Sequence, residues 1–162
     1  MHRRIPLIAA LLLLTPVTHA AGDAPLDRAT LKGLKGVSVV IDVIDPQLEA
    51  LGVTRELMLS HLLSRLQARH IVIDPNATEF VGLRMTAVRA SHGPLAISLT
   101  LGLYQPVLLS RNRDMRTSTQ TWEVESVLLS DPKILITACR ESADELADRF
   151  AAAFLAMNPG QR

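Results

Sequence analysis

From Leu31 onward the chain sorts into segments whose apolar residues recur every second position or every third to fourth. Val37, Val39, Ile41 and Val43 alternate with Ser38, Val40, Asp42 and Ile44, which predicts a first strand apolar on one face and partly so on the other. A strand of that kind is usually central. Asp45-Pro46 ends it, because proline has no N–H for a ladder and turns its predecessor away from helix. Thr54 then caps a helix. Met58, Leu59, Leu62, Leu63 and Leu66 form its apolar stripe, with Arg55, Glu56, Ser60, His61, Ser64, Arg65 and Arg69 elsewhere around it. The helix ends near His70, and Ile71, Val72 and Ile73 predict a short buried strand closed by a turn at residues 74–76. Strand, helix and strand in that order make a crossover unit with parallel strands.

The second half alternates more strictly. Val81, Leu83, Met85 and Ala87 oppose Gly82, Arg84, Thr86 and Val88, and a turn is expected at residues 91–94. Leu95, Ile97, Leu99, Leu101 and Leu103 then alternate without a break, the strongest strand in the chain. A second turn at residues 111–114 leads into a strand with Trp122, Val124 and Leu128 inward and Thr119, Thr121, Glu123 and Glu125 outward. Three such strands on short polar turns predict an antiparallel meander with one dry and one wet face. After Asp131-Pro132 a last helix begins near Thr137. Cys139, Ala143, Leu146, Phe150, Ala153, Phe154 and Met157 are its apolar stripe, and Arg140, Glu141, Asp144, Glu145, Asp148 and Arg149 lie opposite. Residues 158–160 stop it.

The expected fold is α+β: one mixed, mostly antiparallel sheet in the order β-α-β-β-β-β-α. Both helices should pack on one face, since the wet side shows no apolar stripe to receive them. Residues 31–159 would form this single domain, and the small polar residues 21–30 a flexible lead-in.

Ahead of the domain stand Arg3 and Arg4, an apolar run over residues 7–14 too short for a permanent membrane anchor, and small residues Thr18 and Ala20. That order predicts a signal peptide over residues 1–20, cleaved after Ala20 on export to a bacterial periplasm. No membrane anchor is expected, because the lone cysteine, Cys139, is far from the apolar run where a lipid would be attached. Expressed with its leader, the protein should be recovered from a periplasmic extract beginning at Ala21. An intact Met1 in that fraction would contradict export.

Composition narrows the function. With 162 residues, 48% hydrophobic and 20% charged, the chain has enough apolar residue for one core and too little charge for a disordered tail. Seventeen basic against sixteen acidic residues give no polybasic surface, and three phenylalanines, one tyrosine and one tryptophan are few for stacking on bases. Nucleic acid is therefore not an expected partner. A lone cysteine forms no internal disulfide, so the fold must rest on its core.

The chemistry-bearing residues form no catalytic pattern. His61, His70 and His92 have no ligand partner at metal-binding spacing, and the helix and turn positions they occupy read as solvated. Cys139 sits on the apolar stripe, where a cysteine acts as a small buried hydrophobe. The Gly33-Leu34-Lys35-Gly36 run lacks phosphate-cradle spacing, and Glu123 with Glu125 suits a solvated sheet face. Neither catalytic residues nor metal nor cofactor is expected. What remains is a cluster of arginines. Arg111, Arg113 and Arg116 crowd one turn, and Arg84 should face outward along the same sheet, together either a solvated edge whose charges prevent edge-to-edge association or a surface for a partner's acidic segment.

Two stretches carry a resemblance: L-K-G-L-K-G-V-S-V-V-I-D with the following G-V-T-R-E-L and I-V-I, and R-E-S-A-D-E-L-A-D-R-F with the closing L-A-M-N-P. Over residues 31–159 the chain resembles a family of exported bacterial α+β proteins of uncharacterised function. More loosely, its order of elements is similar to the amino-terminal domain of TolB and to the lipopolysaccharide-assembly lipoprotein LptE. The leader, the single core and the missing catalytic pattern together lead to the expectation of a periplasmic, non-enzymatic binding or envelope-assembly module with an envelope protein as partner. The alternatives are a small periplasmic enzyme, or a protein that holds a small apolar ligand, with a site that the linear pattern hides.

Overall fold

The computed structural model describes residues 22–89 and 93–161; the leader expected over residues 1–20, with its cleavage site, lies outside them. Helix α1 spans Pro25–Ala29, β1 Ser38–Ile44, α2 Pro46–Ala50, α3 Arg55–Ala68, β2 Phe80–Arg89, β3 Leu95–Leu109, β4 Asn112–Ser130 and α4 Leu135–Met157. The four strands make one sheet in the order β1-β2-β3-β4, with β1 parallel to β2 and the other pairs antiparallel. This is the α+β mixed sheet that the alternation predicts, with α3 against β1 and α4 against β3 and β4.

The core lies between helices and sheet. Val81, Leu83 and Met85 of β2, the odd residues 95–103 of β3, and Trp122 and Val124 of β4 are buried, as are Met58, Leu62 and Leu66 of α3 and the α4 stripe through Cys139, Leu146, Phe150 and Phe154. Trp122 meets Phe150 edge-on at 5.3 Å, and its indole N–H donates to Oδ1 of Asp23 at 2.8 Å. Asp23 also holds Arg28 at 2.6 Å. Burial pulls the Asp23 carboxyl upward, but the bonds from Arg28 and Trp122 prevail and leave it below its ordinary value. The segment read as a lead-in is thus tied to the core, its one-turn helix α1 lying against β4 and α4.

Three local differences have physical causes. Residues 71–73 do not form a fifth strand; they make one parallel bridge, Val37 to Ile73. Val37 N–H donates to Val72 O at 3.1 Å and Asp74 N–H to Val37 O at 3.0 Å, whereas Ser38 N–H turns the other way to Glu79 O at 3.0 Å. The bridge therefore closes the start of β1's outer edge, and β1 is an edge strand rather than a central one. Asp45-Pro46 does more than end β1: Asp45 Oδ1 accepts from Gln47 N–H at 2.8 Å with proline at the first helical position, which starts α2. The outer face is not wholly wet. Val88, Ala96 and Leu129 lie in one row across three strands, and Val88, Val127 and Leu129 are 71%, 69% and 71% exposed.

Burial pushes the Cys139 thiol up to about 11, so little thiolate is present near neutrality. Folded protein should react with a thiol reagent far more slowly than urea-unfolded protein. Equal rates would place Cys139 at an accessible site.

Candidate functional site

Strands β3 and β4 run past the rest of the sheet. The last partner of β2 is the pair Phe80–Tyr104, yet β3 continues to Leu109, so a two-stranded ribbon of residues 105–119 projects about 15 Å beyond it. Its base is held firmly. Tyr104 stacks on Phe80 with ring centroids 4.8 Å apart and planes 6° from parallel, and it lies over Gly82, where a Cβ would come within 3.1 Å of the ring. On the adjacent strand Gln120 covers Gly102, where a Cβ would come within 2.8 Å, and donates to Glu123. Gln105 Nε2 donates to Thr30 O and Thr121 Oγ1, both at 3.0 Å, which joins the ribbon to the loop after α1.

Beyond this base residues 112–119 are all exposed. Leu108 pairs with Arg116 and Leu109 with Asn112, so residues 113–115 stand out of register at the tip. Asn112 Oδ1 accepts from Asp114 N–H at 3.1 Å and folds this loop on itself. Arg111, Arg113 and Arg116 thus gather at one end of the molecule beside a single carboxylate, Asp114, and exposed Leu108 and Met115. None of the three arginine side chains has a hydrogen bond or ion pair among the described residues.

Arg84 does not belong to this cluster. It is opposite Thr100, eight residues along β3 from the partner of Arg116, which is roughly 26 Å of strand. Its guanidinium donates to Oδ2 of Asp42 at 2.8 Å, and that bond raises its pKa further. Arg84 ties β2 to β1 across the outer face. The candidate glutamates are also engaged: Glu125 accepts from Ser98 Oγ at 2.7 Å, and Glu123 from Gln120.

The α3–α4 seam brings together charges that the linear pattern placed on solvated helix faces. His61, Arg65 and Arg69, each four apart, meet Arg140, Asp144 and Asp148, also four apart. Arg65 donates to both oxygens of Asp148 at 2.8 and 2.7 Å, and Arg69 grips the same carboxylate. His61 Nδ1 accepts from Arg140 at 3.3 Å, and Nε2 sits 2.9 Å from Asp144 Oδ1, though poorly aligned for a hydrogen bond. A groove of about 210 Å³ lined by His61, Thr137, Arg140, Glu141 and Asp144 runs beside this pair.

The seam has a measurable signature. Arg65 first, and Arg69 with it, lower the Asp148 carboxyl from an ordinary 3.8 to about 2. A carboxyl lowered on folding contributes stability that is complete above its unfolded value and fades as pH falls toward its folded one. With Asp148 29% exposed, solvent screening leaves about 1 kcal/mol of that contribution. Asp148→Asn should therefore be less stable than wild type by about that amount at pH 7, and urea unfolding should show the gap closing between about pH 4 and pH 2. A gap that stays constant over that range would refute the assignment.

No family model matches the chain, and no curated protein matches it, so the resemblance to exported α+β proteins rests on the residues quoted above. Among solved structures, one loose likeness is to a minor lipoprotein from Acinetobacter baumannii, a crystal structure at 2.35 Å. It has 10% sequence identity and a TM-score of 0.31, over 76% of this chain and 95% of that one. Overlap of that kind does not transfer function. Among the described residues no helix is long and apolar enough to cross a membrane.

Proposed function

We propose that the protein is a non-enzymatic docking module of the bacterial envelope, which uses the ribbon of residues 105–119 to engage an acidic segment of a partner protein. One observation carries the reading: Arg111, Arg113 and Arg116 project from a firmly based ribbon, and their side chains have no hydrogen-bond or ion-pair partner among the described residues. Several arginines of the body find acceptors within the fold, carboxylates for Arg65, Arg69 and Arg84 and main-chain carbonyls for Arg55 and Arg149. Planar guanidiniums left free at a protruding tip suit bidentate bonds to carboxylates. The leader-like segment over residues 1–20 supports an envelope setting. The enzyme alternative finds less support, because Nδ1 of His61 accepts from Arg140 and Nε2 lies 2.9 Å from Asp144, with no nucleophile among those partners.

The test is fluorescence anisotropy with a labelled peptide of about eight residues that alternates glutamate and threonine. Binding is expected at about 50 mM salt, weakening about tenfold or more by about 300 mM as the Debye length shrinks. No binding at the lower salt, or binding indifferent to salt, would overturn the reading.

A further inference from the structure

The sheet has more edge than its body needs, and the chain closes much of it. On β1, Val37 is bonded by Val72 and Asp74, and farther along Arg55 of α3 donates to the carbonyls of Ile41 and Asp42. On the middle of β4, Glu123 N–H donates to Gly22 O at 3.1 Å and Arg149 to Glu125 O at 3.2 Å, while the Thr30 hydroxyl, bonded to Asp27 O at 2.6 Å, lies 3.4 Å from Thr121 O. Where β3 runs past β2 its edge carries Pro106, which has no N–H to offer. Two stretches of the outer edge of β4 carry no such bond among the described residues, residues 127–129 near its end and the part within the ribbon, and the part within the ribbon is the one beside the arginine cluster.

Register shows which groups that stretch presents. Glu123 and Glu125 turn main-chain groups outward, and they are opposite Gly102 and Thr100 of β3. The even residues of β3 are therefore those whose main chain points away from β4. Tyr104, Pro106 and Leu108 continue that set, and Pro106 fits it, since its ring falls where the β3–β4 ladder needs no N–H. Their partners are Gln120, Ser118 and Arg116, with Thr121 as the extra residue that shifts β4 from odd to even. Arg116 and Ser118 thus hold N–H and C=O groups out along an exposed edge, where the Ser118 carbonyl meets Thr117 Oγ1 at 3.5 Å and keeps its second lone pair.

We infer that the acidic segment binds by adding itself to this edge as an extended strand, main chain to main chain at Arg116 and Ser118, with its carboxylates meeting Arg111, Arg113 and Arg116. The inference rests on the docking reading above and goes beyond it, because charge attraction alone needs no open edge. A second copy of this chain is a poorer occupant, since it would set the same arginines against one another.

Ser118→Pro separates the two. It keeps all three arginines and the β3–β4 ladder but removes one outward N–H, as Pro106 does on the facing strand. In the anisotropy assay the variant should bind the glutamate–threonine peptide about tenfold more weakly, with an unchanged circular dichroism spectrum. The same peptide N-methylated at alternate amides should lose wild-type binding to a like degree, which decides the matter if the variant fails to fold. Equal binding of the methylated and plain peptides overturns strand addition and leaves charge docking standing. Failure of the plain peptide to bind wild type overturns both. A wild-type dimer in sedimentation that Ser118→Pro dissolves would overturn the acidic partner in favour of self-pairing.

Discussion

Phe150→Ala is expected to lower the unfolding free energy by about 3–5 kcal/mol, a large share of the roughly 5–15 kcal/mol that holds a domain together. Phe150 has no exposed surface, and it is the point where α4 meets the sheet. Its ring takes Trp122 edge-on at 5.3 Å and packs against Phe154 at 5.9 Å. Truncation leaves a void between two other aromatic rings that cannot collapse into it without moving the helix. Because Trp122 also holds Asp23, and Asp23 holds Arg28, the damage should reach α1. Urea unfolding followed by Trp122 fluorescence reads the loss directly. Phe150→Leu, which fills most of the void, should lose about a third as much. A loss below about 1 kcal/mol for the alanine variant would mean that this contact is not the centre of the core.

The second large effect is on binding. Serine at Arg111, Arg113 and Arg116 together should weaken the acidic peptide by about a hundredfold at low salt and leave little salt dependence in what remains. The melting temperature should barely move, because the three side chains are exposed and make no hydrogen bond or ion pair among the described residues, and surface changes of that kind stay within about 0.5 kcal/mol. Arg84→Ser is the contrasting variant. It breaks the pair with Asp42 on the sheet body, so stability should fall slightly and peptide binding should not change. Equal weakening by Arg84→Ser and by the triple variant would return Arg84 to the docking surface and count against the ribbon as its seat.

What could be read from the sequence follows from burial. The unbroken alternation from Leu95 to Leu103 and the α4 stripe through Phe150 are periodic because one face of each element is dry, and both stand where the pattern put them. The ribbon has no such signal. Residues 112–119 are all exposed, so no period marks them; Pro106, which interrupts its strand's row of donors, marks this end of the sheet as an edge or a bulge, and the register places it on an edge. The arginine cluster at the turn was visible as composition; its separation from Arg84 was not, since outward alternation says which face a residue takes and nothing about which end. The α3–α4 seam could have been found. Residues 61, 65 and 69 repeat every fourth position, as do residues 144 and 148 with the opposite charge, the spacing at which two helices exchange partners across a seam. Residues 71–73 misled because three apolar residues suit a strand or a single bridge equally well, and only the bonds of Val37 and Ser38 to opposite sides decide between them.

The docking ribbon is tested most directly by titrating the glutamate–threonine peptide into isotopically labelled protein and following every backbone amide by NMR. Shifts confined to residues 105–119, largest at Arg116 and Ser118 and absent from the triple serine variant, are the expected result. Shifts centred instead on the His61–Asp144 groove, or spread evenly over the surface without saturating, would contradict it.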